Sequence, residues 1–374
     1  MFSVVPVAMS LLSVIIASLL VTLTAAKPSF TGDNCTITEF SQVESVSAKC
    51  TNIIVSNLQV PGGETLDFKF KKPGVHITFE GKTTFGYQLW KGPLIRIQGV
   101  GITVTGAPGS VLDGQGALYW EGKNGKKTKP KFFKIKVKEG SVFKDIHLLN
   151  CPVHCVSVSM SDHVTLSGWN IDVSAGDKDE LGHNTDGFDI SETNNILIEN
   201  AIVQNQDDCV AVNQGFNMTF RNLECIGGHG LSLSVGMSHE VIKNTVANVT
   251  FRDSIVKNSR NGIHVKTHTN SGEGLIRDIT YKNIEMTGIW RYGVNVEQDY
   301  KNGKSTGNAT NNIPIRGLTL TNVNGQLTGP ESVPVYILCG SEGCENFEWS
   351  EVSFRGASNP SSCNYEPRGF HCPK

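Results

Sequence analysis

The chain has 374 residues, with 33 Lys and Arg against 35 Asp and Glu and a formal net charge of −2. That balance gives no electrostatic footprint for nucleic acid or for an anionic membrane surface. Thirty-nine glycines, with no long amphipathic helical periodicity, predict many short strands joined by tight turns.

Residues 4–23 are almost wholly apolar and lead into Thr24-Ala25-Ala26. Small residues at 24 and 26 fit signal-peptide cleavage before Lys27. The run is also long enough to serve as an uncleaved anchor, and no Lys or Arg precedes it. The expectation is a signal peptide at 1–26, secretion to the extracellular space, and one domain at 27–374 that no longer touches a membrane. Ten cysteines, an even number, suit an oxidising compartment. Cys35 with Cys50, Cys209 with Cys225, Cys339 with Cys344 and Cys363 with Cys372 are local pairs. Cys151 and Cys155 are left over, and they bond only if a turn separates them. Glycosylation sequons stand at Asn34, Asn217, Asn248 and Asn308.

Residues 27–60 are expected to cap one end of a repeat array, pinned by Cys35 and Cys50. An open end would expose unpaired backbone groups. β-Branched runs follow at 74–79, 94–97 and 102–105, and Gly109 to Gly114 ends another repeat. Segment 116–131, with Lys123, Lys126, Lys127 and Lys129, reads as an inserted basic loop, either solvated or facing an acidic ligand. Short runs then recur at 142–146, 164–166, 196–198, 218–220, 249–251, 279–281 and 318–320, and Phe347-Glu348-Trp349 opens the last strands. No Pro-rich or Gly/Ser-rich linker divides the chain.

The stretch from 183 to 266 sets the repeat. His183 to Ile190, Gln206 to Val212, Gly228 to Leu233 and Asn261 to Lys266 each place a polar cluster before a strand-like run. Asp186 and Asp207 are 21 residues apart, as are Asp208 and His229; the fourth piece lies 32 further on, as if one turn carried an insertion. Tyr292 to Glu297 echoes the pattern. Aligned, Phe188, Val210, Leu231, Ile263 and Val294 form one apolar column, and Ile190, Val212, Leu233, Val265 and Val296 a second. Alternation sends both to one face. Asp189, Ala211, Ser232, His264 and Asn295 then point outward, as do Lys266 and Glu297. A repeat of this length is a solenoid, here an all-β, single-domain, right-handed parallel β-helix, its hand following the usual crossover preference.

Coils stacked at about 4.8 Å bring Asp186, Asp207, Asp208, His229 and Lys266 onto one outer face. Acids this close cannot all ionise freely, so at least one pKa should rise. A protonated acid beside ionised ones is what glycosidic cleavage needs. The blander readings are Asx turn hydrogen bonds for a single Asp, a surface histidine, a solvated lysine, and a support role for Asp189. A metal site is a further alternative, since carboxylates and a His bind metal.

Asn184-Thr185-Asp186, Gln206-Asp207-Asp208, Gly228-His229-Gly230 and Asn261 to Lys266, in that order, resemble the signature blocks of glycoside hydrolase family 28, the polygalacturonases, most closely the fungal-type endo-enzymes. The similarity extends through Gly86 to Pro93, Lys127 to Phe132, Glu297 to Tyr300 and Val335 to Gly340, nearly the whole mature chain. The resemblance implies inverting hydrolysis of α-1,4-linked galacturonan. In it Asp207 is the general acid, Asp186 and Asp208 activate water, and His229 tunes the acid. Lys266 pairs with a sugar carboxylate, Asn184 and Tyr300 hold sugar, and His264 takes the place of a substrate-binding residue. It implies pectin as partner, no metal or other cofactor, and proteins that inhibit such enzymes as further partners; an elongated β-helix is expected as a monomer.

The sequence departs from the family where the last block usually reads Arg-Ile-Lys and here reads His264-Val265-Lys266. Arginine offers a permanently charged two-pronged grip on a carboxylate, which histidine lacks. Losing it costs roughly 2–4 kcal/mol of transition-state binding. The run from Leu231 to His239 also lacks the family's arginine, and Arg291 stands where a small polar residue is usual. Five readings compete: an active endo-polygalacturonase; an impaired homologue that binds pectin or inhibitor proteins; a related hydrolase acting at chain ends or on rhamnogalacturonan; a lyase on the same fold; and a purely structural solenoid, which would need no clustered acids. The intact acids favour the first.

Overall fold

The computed structural model describes Met1 and residues 35–372 except Ser271 and Asn302. The signal-peptide expectation at 1–26 and the Asn34 sequon lie outside the described residues. Among these, 28 strands join one hydrogen-bonded assembly. Adjacent coils pair in parallel, and the pairing of Tyr300 with Ser305 is antiparallel. The chain is a parallel β-helix.

Three ladders run its length. The first stacks Phe133, Val156, Phe188, Val210, Leu231, Ile263, Val294 and Val335 in register, which matches the apolar columns read from the sequence. The second stacks Val164, Ile196, Met218, Val249, Ile279 and Leu318. The third stacks Ile171, Val203, Cys225, Val256 and Met286. Period-2 alternation buries one residue in two inside the coil, and the inner side chains form one continuous core. Aromatic rings repeat at the coil spacing: Phe220 lies 4.6 Å from Phe251, and Phe251 lies 4.8 Å from Tyr281, nearly coplanar.

The corners between ladders need a left-handed backbone. Asn195, Asn217 and Asn248 supply it at one corner and Asn200, Asn222, Asp253, Asn283 and Asn322 at the next, all with φ between 49° and 58°. Asparagine tolerates this region better than other side chains. Its amides also chain from coil to coil: Asn217 donates to Asn195 at 3.1 Å and Asn248 to Asn217 at 2.8 Å. Two sequons therefore sit in one exposed corner column.

The helix Val43–Lys49 covers the first coil, and the disulfide Cys35–Cys50 closes the segment that carries it. The other three expected local pairs form. Cys151 and Cys155 also bond, across the turn Pro152-Val153, with Cα atoms 5.3 Å apart. The interval of 32 residues is lengthened by a loop containing the 3-10 turn Val241–Asn244. Buried Asn244 holds that loop through Ser238 and the Glu273 carbonyl.

Candidate active site

Register places the chemistry. Because Val156, Phe188, Val210, Leu231, Ile263 and Val294 align, the residues two positions earlier form a second column: His154, Asp186, Asp208, His229, Asn261 and Tyr292. One position before those stand Thr185, Asp207, Gly228, Arg260 and Arg291. The first of these columns, and Asp207, Arg260 and Arg291 of the second, line one cleft on the outer face of the first ladder, together with Asn184, His264, Lys266 and Tyr300.

The backbone that carries the acids is held by neighbouring coils. Asn205 is buried, and its amide donates to the carbonyls of Thr185, Asp207 and Asp208 at 2.8–3.0 Å. Thr185 and Gln206 exchange two hydrogen bonds of 2.9 Å. Gly228 has φ +60°, and a Cβ there would collide with the Asp207 carbonyl, so only glycine lets the third coil approach the acid turn.

Each acid has a different environment. Asp208 is buried; its Oδ1 accepts the Ser232 hydroxyl at 2.6 Å and its Oδ2 accepts Lys266 Nζ at 2.8 Å. Asp207 Oδ1 lies 3.0 Å from His229 Nδ1 and accepts the Asp208 N–H at 2.8 Å. Burial alone would raise Asp207, but the His229 charge and hydrogen bond, with Lys266 behind them, hold it well below the ordinary carboxyl value. Asp186 has weaker help: His154 lowers it but is outweighed. Burial, then the charges of Asp207 and Asp189, push it well above the usual range. Asp186 is thus held toward its protonated form while Asp207 is held toward its ionised form, the rise expected from stacking.

His154 Nδ1 bonds to Asp189 and lies 3.9 Å from Asp186. Burial opposes its protonation, but Asp189 and Asp186 outweigh burial and carry it up to about 9. Lys266 is likewise resisted by burial yet held charged above its ordinary value by Asp208. Its ammonium sits 5.0 Å from the centre of the Tyr300 ring, a cation–π contact.

Two residues assigned to sugar binding by resemblance are engaged inward. The Lys266 ammonium faces Asp208. His264 is 6% exposed; its Nε2 is 2.7 Å from Glu297, and its Nδ1 is 3.3 Å from the Asn261 amide. Burial and the Lys266 charge lower its pKa, so the neutral ring donates to Glu297 and accepts from Asn261.

His154 was not found from sequence. It occupies the register of Asp186 and Asp208, so extending the polar column back one coil would have found it. Among the described residues two groups have donor atoms close enough to hold a metal, His154 with Asp186 and Asp189, and Asp207 with Asp208 and His229. In both, a protein cation, His154 or Lys266, already meets the carboxylates at contact distance.

A parallel β-helix with clustered acids in an outer cleft defines a class of carbohydrate-cleaving proteins. Residues 50–372 match the model of Glycosyl hydrolases family 28, and the chain belongs to that family. It is 62% identical over 355 residues to a polygalacturonase of Phaedon cochleariae, covering 94% of this chain and 96% of that one. It is 45% identical over 342 residues to a probable endopolygalacturonase I of Aspergillus terreus, covering 91% of each. Endopolygalacturonase I of Stereum purpureum, solved with two galacturonates, superposes with TM-score 0.78 at 33% identity, covering 88% of this chain and 96% of that one.

Proposed function

We propose that the chain is a secreted endo-polygalacturonase that hydrolyses α-1,4-galacturonosyl linkages of pectin with inversion. The observation that carries this reading is the cluster of Asp186, Asp207 and Asp208 with His229 at the floor of one cleft. Asp207 is the general acid, with its oxygen on His229. In the empty cleft Asp207 is ionised. A bound polyuronate displaces water and adds negative charge, and both raise the pKa of the acid, so the proton arrives with the substrate. Asp208, bonded to Lys266 and Ser232, is the base that deprotonates the water, and Asp186 beside it orients that water. Asn184, exposed at the rim, and Tyr300 contact sugar. Five disulfides and the apolar N-terminal run support secretion of residues 27–374. The reading includes no cofactor, a monomer, and inhibitor proteins as additional partners.

The inward engagement of His264 favours a second reading, a homologue that binds pectin without cleaving it. Product analysis separates them. Incubation with demethylated polygalacturonate should release reducing ends as oligomers whose new anomeric carbon is first β, with no ultraviolet-absorbing unsaturated sugar. Binding without release supports the second reading. An unsaturated product contradicts both and indicates a lyase.

A further inference from the structure

A polyuronate must be gripped by cations, and the two that the family pattern assigns here are taken. Lys266 is committed to Asp208 at 2.8 Å. His264 is buried, neutral and donating to Glu297. Some other cation must meet the sugar carboxylate beside the cleaved bond if the proposed hydrolysis is correct, and the inference below rests on that reading.

Lysines from other segments also line the cleft, Lys131 and Lys304 among them, but Arg260 and Arg291 are the cations that stand in the column of Asp207. They stand on adjacent coils, joined by a 3.0 Å hydrogen bond from the Arg291 N–H to the Arg260 carbonyl. Both line the cleft with Asp207 and Tyr300. Among the described residues neither guanidinium forms an ion pair with a carboxylate. Arg260 Nε is buried and has no hydrogen-bond partner. Each guanidinium instead lies near a ring, Arg260 5.9 Å from the centre of Trp290 and Arg291 5.1 Å from that of Tyr292. Two neighbouring like charges, one with an unsatisfied buried N–H, are costly unless an anion joins them. Burial and the Arg291 charge accordingly depress the Arg260 pKa.

The position fits the reaction. Arg260 shares the column of Asp207, two coils further on, about 10 Å away at the strand spacing. The intervening position is Gly228, which has no side chain to fill the surface between them. A sugar ring over Gly228 would have its glycosidic oxygen toward Asp207 and its carboxylate toward Arg260.

We propose that Arg260, backed by Arg291, forms the carboxylate-binding fork of this cleft and so takes over the task that the family pattern gives to an arginine at position 264. A guanidinium meets a carboxylate with two parallel N–H···O bonds. A methyl ester removes the charge, so the fork selects non-esterified galacturonate at this point in the cleft.

The test compares binding of digalacturonate and of its dimethyl ester to the mature chain and to Arg260→Gln, Arg260→Lys and Arg291→Gln, by calorimetry. Arg260→Gln should weaken digalacturonate about 10- to 100-fold and change ester binding less than about twofold. Arg260→Lys should recover part of the loss, since it keeps the charge without the fork. On polygalacturonate, Arg260→Gln should lower kcat/KM by a similar factor. If both ligands weaken equally in Arg260→Gln, or neither does, the proposal is overturned. Should Arg260→Gln not fold by thermal unfolding, Arg260→Lys and Arg291→Gln decide: selective loss of digalacturonate supports the fork, and equal or no loss overturns it. A mature chain that releases no reducing ends yet loses digalacturonate selectively in Arg260→Gln keeps the fork and sinks the hydrolase reading.

Discussion

Lys266 and Asp208 are 58 residues apart in sequence and 2.8 Å apart in space, with each side chain at most 6% exposed. The pair crosses two coils and ties the strand Asn261–His268 to the acid turn. Removing one partner leaves a buried charge uncompensated. Lys266→Met should therefore cost about 3–5 kcal/mol of stability, read by denaturant unfolding. It should also abolish hydrolysis, because the Asp208 carboxylate would lose the cation that holds it in place.

His264 should behave as a clamp on Glu297 rather than as a substrate ligand. His264→Gln keeps an N–H donor for Glu297 and should lower kcat/KM only a few-fold. His264→Leu strands a buried carboxylate and should destabilise by about 3–5 kcal/mol. A large rise in KM for His264→Gln with unchanged stability would place His264 in direct contact with the sugar.

Stability should fall as pH rises past neutrality. His154 titrates at about 9 in the folded chain against about 6.5 when unfolded. Its contribution is complete below the unfolded value and is lost as pH rises through the folded one, about 3 kcal/mol in all. Asp186 acts in the same direction, because a carboxyl kept neutral in the fold is ionised on unfolding, which favours the unfolded chain at higher pH. Thermal midpoints between pH 6 and 9.5 should decline, and His154→Asn should flatten most of that decline. A flat profile for the parent chain would contradict the charge assignment.

Cys151 and Cys155 frame the turn that delivers His154 beside Asp186. Replacing both with serine should lower stability by about 2 kcal/mol, the loop-entropy value for so short a ring. It should also reduce activity, as the His154 contact with Asp189 loosens. Activity equal to the parent at unchanged stability would show that the turn holds without the bridge.

Much of this was legible in the chain because period-2 alternation and a repeat interval are local signals. Phe188, Val210, Leu231, Ile263 and Val294 fix the register, and the register fixes where Asp186, Asp207, Asp208 and His229 lie. What stayed hidden depends on partners from distant coils. That Lys266 turns to Asp208, and His264 to Glu297, follows from side-chain direction and burial, which alternation does not supply. The Cys151–Cys155 bond depended on a two-residue turn that strand patterning could not distinguish from a straight run. His154 could have been found, since it continues the polar column, but it lies 32 residues before Asp186, across the loop of residues 173–185 that interrupts the repeat.

The central claim is that Asp207 protonates the leaving sugar within an acid cluster built for hydrolysis. The most direct test is reducing-end release from demethylated polygalacturonate across pH 4 to 7, by the mature chain and by Asp207→Asn. The account predicts activity that falls toward pH 7 as the cluster loses its proton. It also predicts that Asp207→Asn, folded and still binding substrate, is slower by about 10³-fold or more. Asp207→Asn with activity within a few-fold of the parent would contradict the account.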